Sequence, residues 1–196
     1  MDHVGPNDFL SVKQISEATT KYLRNIQWRT ASVSRIFLDP TAHQFHWLAS
    51  TGQSTAIQDL QTDGSWLNLY QVARDRNYRS PLSCAAENGF VAVVRLLVDD
   101  EKNIDCRDTG LRTPLSYAAG NGHLGVVKAL LENGAYVETW DRTGRTPLSY
   151  AAGNGHIEVV EVLLNGGANP KAMDDSGQTP LSRAQGKNVL ASLRAV

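Results

Sequence analysis

Three arginines, Arg79, Arg112 and Arg145, lie 33 residues apart along the chain. Guanidinium groups form charge-assisted, bidentate hydrogen bonds with carboxylates and phosphates, so a regular row of them predicts contact with an acidic or phosphorylated partner. The competing interpretation is internal neutralisation, because an aspartate lies shortly before each arginine and before Gln178, which continues the column. Those aspartates are Asp75, Asp108, Asp141 and Asp174.

Two further sets of residues could do chemistry, and neither is complete in the sequence. His43 and His46 could share one helix face, but a zinc site needs three or four ligands and no cysteine or carboxylate cluster completes the pair. Cys84 has no histidine near it in the sequence or in the predicted arrangement, so we expect no nucleophilic role. Every glycine pair is explained by the end of a helix. We therefore predict no catalytic residue, no metal, no cofactor and no small-molecule ligand.

Bulk composition excludes several classes of protein. The chain has 196 residues, 41% of them hydrophobic, which suits one packed domain or a short array. A formal net charge of −1 argues against nucleic acid and anionic lipid as partners. No apolar run approaches the roughly 18 residues that a membrane span needs. Two cysteines and a first segment unlike a secretory signal predict reduced thiols and a cytoplasmic or nuclear location.

The same period of 33 residues defines the elements that must position the arginines. Thr146 and Pro147 predict the capped start of a short helix, and Gly155 predicts its end in a left-handed conformation. A second apolar helix follows over residues 156–164, and an extended excursion with a tight turn completes the unit. Four prolines, each followed by Leu-Ser, mark the copies: Pro81, Pro114, Pro147 and Pro180.

These units resemble the ankyrin repeat family. The resemblance is carried by Asp-x-x-Gly-x-Thr-Pro-Leu at residues 141–148, Ala-Ala-x-x-Gly-His at residues 151–156, and the Leu-Leu and Gly-Ala pairs that follow. It implies an all-α repeat solenoid of helix-turn-helix units with protruding β-hairpin loops. The repeat sequence is similar to that of ankyrin arrays from filamentous fungi. Serine stands in every copy where the family usually has histidine after Pro-Leu, and it can still hydrogen-bond near the helix start.

The period also sets the predicted boundaries. Residues 1–38 are predicted to form an N-terminal helical cap or extension, with the remnant of another module or a partner-binding helix as the alternative. The ankyrin array spans residues 39–196, with a degenerate repeat at 39–74, full repeats at 75–107, 108–140 and 141–173, and a C-terminal capping repeat at 174–196. A few inserted residues are predicted between 61 and 70. The loop at residues 99–103 is predicted to be the loosest connection in the array, because it lacks the usual Gly-Ala.

Side chains that the fold does not require mark a predicted binding surface. Tyr78 and Leu111 stand at hairpin tips where the pattern has glycine, and Trp140 stands in a column with Arg107 and Met173. Local packing is the alternative for each: Tyr78 on the inserted segment, Leu111 in a turn shifted to Gly110, and Trp140 on the adjacent hairpin. The predicted partner-binding residues are Tyr78, Arg79, Leu111, Arg112, Trp140, Arg142 and Arg145.

The function predicted from these features is a non-enzymatic protein–protein interaction module. It would bind a protein partner with acidic and apolar features through its hairpin tips and a concave helix face. The alternative is an accessory or regulatory subunit of an enzyme system, such as a fungal biosynthetic pathway. Tyr117 and Tyr150 share a column with Cys84 and Arg183. Packing between helices is the expected role of that column, with ligand binding as the alternative.

Overall fold

The computed structural model describes residues 40–62, 73–98 and 104–184, and these residues form stacked pairs of helices. The predicted all-α solenoid is confirmed: the excursions between pairs are tight turns, and no strand occurs in the described ranges. In chain order the helices are α1 Pro40–Thr51, α2 Ser54–Thr62, α3 Pro81–Glu87, α4 Val91–Leu97, α5 Pro114–Gly120, α6 Leu124–Glu132, α7 Pro147–Gly153, α8 Ile157–Asn165 and α9 Pro180–Arg183.

Several predictions fall on residues outside the described ranges. They are the N-terminal cap at residues 1–38, most of the insertion between residues 61 and 70, the loop at residues 99–103 and the end of the C-terminal capping repeat. The side chain of His43 also lies outside the description. The domain boundaries stay predictions, although α1 and α2 pack on α3 and α4 as the later pairs pack on one another.

The recurring Thr-Pro-Leu-Ser, or Ser-Pro-Leu-Ser at α3, begins the first helices α3, α5, α7 and α9 in the predicted way. In α7 the Oγ1 of Thr146 accepts a hydrogen bond from the backbone N–H of Ser149 at 3.2 Å, and Pro147 occupies the first helical position. The hydroxyl of Ser149 also lies 3.2 Å from Thr146 Oγ1, so serine satisfies its own polar group there. The same cap forms in α3, α5 and α9. Each cap oxygen accepts one of the backbone N–H groups that the start of a helix leaves without an intrahelical partner.

The Gly-His dipeptides that follow α5 and α7 couple neighbouring repeats. Gly122 has φ of 74°, and a Cβ added there would lie 2.6 Å from Nδ1 of His156. His156 donates from Nε2 to the carbonyl of Gly120 at 3.1 Å. His123 donates in the same way to the carbonyl of Glu87 at 2.9 Å. Glycine is therefore required both for the left-handed backbone and for the approach of the histidine ring.

The core runs through the whole stack in two layers of helices. First helices (α1, α3, α5, α7 and α9) pack side by side, and second helices (α2, α4, α6 and α8) form the layer behind them. From α3 to α8, the leucine after the proline of each first helix and the valines of each second helix fill the space between the layers, and Ala-Ala pairs let the first helices approach closely. The equivalent core residues Leu82, Leu115, Leu148, Val94, Val127 and Val160 are fully buried.

The turns form a row along the edge of the first-helix layer, here called the turn row. Adjacent turns are joined by single backbone hydrogen bonds, from Thr109 N–H to Asn77 O and from Arg142 N–H to Gly110 O, each 2.9 Å long. Tyr78 and Leu111 adopt φ of 62° and 63° at the turn tips. Leu111 itself adopts the left-handed conformation, so the prediction that the turn shifts to Gly110 is wrong. Each such residue costs about 1 kcal/mol relative to glycine.

Candidate functional site

Arginines and tyrosines alternate on the face where the first helices meet the turn row. We call Arg79, Tyr117, Arg112, Tyr150 and Arg145 the ladder. The guanidinium carbon of Arg112 lies 4.1 Å from the ring centroid of Tyr117 and 4.5 Å from that of Tyr150. Arg79 and Arg145 lie 5.9 Å and 6.0 Å from Tyr117 and Tyr150, at the outer sides of the two rings. These distances are within the range of cation–π attraction.

In the two central repeats, the aspartate that begins the turn accepts the tyrosine hydroxyl and fixes the position of the ring. Asp141 accepts backbone N–H groups of Thr143 and Arg145 at its Oδ1, at 2.8 Å and 3.0 Å. Its Oδ2 accepts the hydroxyl of Tyr150 at 2.5 Å. Burial and this hydrogen bond raise the pKa of the Tyr150 phenol, so the ring stays a proton donor and holds its position.

The preceding repeat contains the same arrangement. Asp108 accepts the backbone N–H of Arg112 at Oδ1, at 2.9 Å, and the hydroxyl of Tyr117 at Oδ2, at 2.6 Å. Burial, together with the bond to Asp108, raises the pKa of Tyr117. In both central repeats the aspartate therefore binds the arginine's backbone, while the tyrosine occupies the carboxylate oxygen that the guanidinium would otherwise use.

The outer repeats differ, because the tyrosine column holds Cys84 and Arg183 there. Without a tyrosine, the Oδ2 of Asp75 accepts Nε of Arg79 at 2.7 Å. In the last repeat Arg183 takes the tyrosine's place and donates from Nε to Oδ2 of Asp174 at 2.6 Å. The arginines at the two ends of the face are thus ion-paired.

A second set of equivalent positions, at the ends of the first helices, also distinguishes the first repeat from the central ones. Glu87 ends α3 and its Oε2 lies 2.5 Å from a terminal nitrogen of Arg79, whereas the equivalent residues are Gly120 and Gly153. Among the residues that the structure describes, Arg112 and Arg145 form neither ion pairs nor side-chain hydrogen bonds, and the Nε atom of each is buried without a partner. Direct ion pairing with the aspartate of the same turn is therefore present for Arg79, and Arg112 and Arg145 form no such pair.

A polar cleft of about 220 Å³ opens at the C-terminal end of the ladder. Its lining suits a small polar or charged group, because side-chain amides and guanidinium groups surround it. The lining includes Arg145, Tyr150, Gly153, Asn154, Gln178 and Arg183. Asn154 also donates to the carbonyl of Gly120 at 2.6 Å, which fixes its position beside the ladder.

The other predicted site residues lie on the turn row. Trp140 is 54% exposed and the guanidinium carbon of Arg107 lies 5.2 Å from its ring, so it both packs on the preceding turn and faces solvent. Tyr78 is 59% exposed, and Leu111 is half-buried. Arg142 donates from Nε to the carbonyl of Thr109 at 2.5 Å, which ties neighbouring turns together. Binding by these residues stays a prediction.

The first repeat brings together a histidine, a carboxylate and a thiol. Nε2 of His46 lies 3.4 Å from Sγ of Cys84, so the expectation that Cys84 has no histidine neighbour is wrong. His46, Asp75 and Cys84 place their ligand atoms within 4.8 Å of one another, donor types that suit zinc. However, Arg79 donates to Asp75, and His46 donates to the carbonyl of Arg79 at 3.2 Å. The arrangement present is a hydrogen-bonded cluster with a cation at its edge, which disfavours a second cation.

We expect the thiol of Cys84 to react very slowly in the folded protein. Burial raises its pKa to about 12, against which the charge of Arg79 acts only in part, so almost no thiolate exists at pH 8. The measurement is the rate of reaction with a chromogenic disulfide in the Cys106→Ser variant, where Cys84 is the remaining cysteine. The same variant unfolded in urea is the control, and equal rates in the two states would contradict the expectation.

Comparison with protein families agrees with the geometry. A family model for ankyrin repeats (3 copies) matches residues 45–141, and one for ankyrin repeats (many copies) matches residues 130–184. The chain belongs to the ankyrin repeat family, whose members generally serve as non-enzymatic modules for protein–protein interaction. No curated protein matches the chain. In the described ranges, no helix has the length and apolar character needed to cross a bilayer.

Sequence reasoning missed the residues that make the ladder unusual. Packing between helices was the favoured role of Tyr117 and Tyr150, with ligand binding as the alternative, and Gly120 and Gly153 were explained as helix ends. Two sets of equivalent positions carried a signal of this difference. The residue type changes between the first repeat and the central repeats in both sets, which are Cys84, Tyr117, Tyr150 and Arg183, and Glu87, Gly120 and Gly153. What the columns could not show is which aspartate oxygen each side chain would occupy.

Proposed function

We propose that this protein is a non-enzymatic interaction module that binds a protein partner through the ladder and the adjacent turn row. The observation that carries the proposal is the pair of stacked arginines, Arg112 and Arg145, for which the described residues provide no counter-ion. A cation that is held against an aromatic ring and has no ion-pair partner is a strong attractor for carboxylates.

The ladder is also preorganised for binding. Tyr117 and Tyr150 are anchored by hydrogen bonds to aspartates, and the rings in turn fix the rotamers of the arginines. Binding therefore immobilises few additional side chains, which lowers the entropic cost of association. Arginine and tyrosine are among the residues that dominate binding energy at protein interfaces.

The partner is expected to combine acidic and apolar features. Acidic groups match the two unpaired guanidinium groups, and apolar groups match Trp140 and Tyr78, which remain more than half exposed on the turn row. Tryptophan and tyrosine contribute large, rigid contact areas at interfaces.

Replacing both Arg112 and Arg145 by alanine is expected to weaken partner binding by about 2–4 kcal/mol, which is the loss typical of interface hot spots. The measurement is affinity capture from the native cell, followed by a dissociation constant with the purified partner. The partner's identity also distinguishes a free-standing module from an accessory subunit of an enzyme.

The matched control is Arg95→Ala. Arg95 is an exposed arginine on α4, in the other helix layer, where it pairs with Glu132 at 3.4 Å. Partner binding should be unchanged in that variant. Retention of every partner at full affinity by the Arg112→Ala/Arg145→Ala variant would overturn the assignment of the ladder as the binding surface.

A further inference from the structure

We infer that Arg112 and Arg145 receive two carboxylates that lie three residues apart in an extended, polyproline-like segment of the partner. This inference rests on the proposed interaction function and specifies what the ladder binds. It depends on three observations: the spacing of the two guanidinium groups, a carboxylate already bound to the third arginine of the ladder, and glycine in place of the residue that supplies this carboxylate.

The spacing comes from the stacking of the repeats. The two guanidinium carbons lie 4.5 Å and 6.0 Å from the same ring centroid, that of Tyr150, so their separation cannot exceed those two distances together. Neighbouring packed helices such as α5 and α7 lie about 8–10 Å apart. In a polyproline helix, residues i and i+3 share one face and are separated by about 9 Å. Residues i and i+2 of an extended strand are separated by only about 7 Å.

Glu87 shows how a carboxylate binds to an arginine of the ladder. In the first repeat its Oε2 contacts Arg79 at 2.5 Å, and it does so from the end of the first helix. Gly120 and Gly153 occupy that position in the next two repeats, so the equivalent carboxylate is missing there. We infer that the partner supplies it at both places. Each unpaired guanidinium carries one positive charge, which one carboxylate neutralises.

A side chain can be added at both glycines, although Gly120 itself is buried beneath Arg112 and Tyr150. A Cβ at Gly120 would meet its nearest atom, Cβ of Tyr150, at 3.6 Å, and a Cβ at Gly153 would lie 3.9 Å from Arg183, both ordinary contact distances. Neither glycine has a left-handed backbone. Glutamate can therefore be introduced at both positions to reproduce the Glu87–Arg79 pair and occupy the binding site from within.

The experiment uses three proline octapeptides of identical composition that carry two glutamates three apart, two apart or adjacent. Dissociation constants come from NMR titrations of the full chain at low ionic strength. We expect the peptide with glutamates three apart to bind at least about tenfold more tightly than the other two, because only it contacts both arginines. The Gly120→Glu/Gly153→Glu variant should lose this binding by a similar factor.

The matched control is Gly120→Gln/Gly153→Gln, which adds a side chain of the same shape without charge and should reduce binding by much less than the glutamate variant. Circular dichroism checks that both variants remain folded. Equal affinity for the three peptides, no binding of any of them, or unchanged binding to the glutamate variant would overturn the inference. The interaction function would survive each of those results, since it is tested separately by partner capture with the Arg112→Ala/Arg145→Ala variant.

Discussion

Replacing Leu115 by alanine is expected to lower the free energy of unfolding by about 2–5 kcal/mol, the range found for buried leucines. Leu115 is fully buried in α5, between the first helices of the two neighbouring repeats, so the vacated volume cannot be filled from solvent. A repeat array is stabilised by contacts between neighbours, and a weakened central repeat uncouples the two halves. Urea unfolding followed by circular dichroism measures the loss.

Leu181→Ala provides the comparison for this experiment. Leu181 occupies the same position in α9, where it is only half-buried at the end of the described stack. Its replacement should have a clearly smaller effect than that of Leu115, because less apolar surface is removed from a packed environment. An equal or larger effect at Leu181 would mean that the central repeat does not hold the array together.

Replacing Asp141 by alanine is expected to destabilise the protein by about 3 kcal/mol. The replacement leaves several hydrogen-bond donors without an acceptor, and hydrogen bonds to charged groups are strong. Asp141 is buried and accepts from the Thr143 N–H and hydroxyl, the Arg145 N–H and the Tyr150 hydroxyl. The measurement is again urea unfolding at neutral pH. A variant as stable as the parent would show that the turn does not depend on its aspartate.

The pH dependence of stability gives a second measure of the same residue. Burial tends to raise the pKa of Asp141, but hydrogen bonds from Tyr150, Thr143 and Arg145 outweigh it, so the folded pKa lies below the ordinary value of 3.8. A lowered folded pKa means that Asp141 stabilises the protein fully above pH 3.8 and loses this contribution as the pH falls further. The alanine variant should lose less stability on acidification. Asp141→Asn, which keeps an acceptor oxygen, separates charge from hydrogen bonding.

Much of the architecture was predictable because the repeat period aligns residues with the same structural task. Thr146 caps a helix and Gly155 turns left-handed in the structure as the pattern requires, since these roles depend only on neighbouring residues. The contact between His46 and Cys84 was not predictable in this way. The inserted residues break the period between them, so no column relates the two side chains.

The ladder was only partly predictable, for a different physical reason. The arginine column is visible in the sequence, but whether each arginine is ion-paired depends on competition for one carboxylate oxygen. Tyr150 donates to the Oδ2 atom of the aspartate in its repeat. In the first repeat Arg79 donates to the equivalent oxygen, because the side chain of Cys84 is too short to reach the aspartate as a tyrosine does. Such competition is decided by side-chain length and geometry across nine residues, which a one-dimensional pattern does not encode.

The paired arginines at both ends of the face have a consequence for how a ligand could be positioned. A surface built from identical units would allow a bound segment to slide by one unit and bind equally well. Here Arg79 is held by Asp75 and Glu87, and Arg183 is held by Asp174, so a displaced acidic segment would meet occupied cations. In the proposed interaction, the two central repeats would therefore give an acidic segment a single register, and the position of its acidic groups would matter as well as their number.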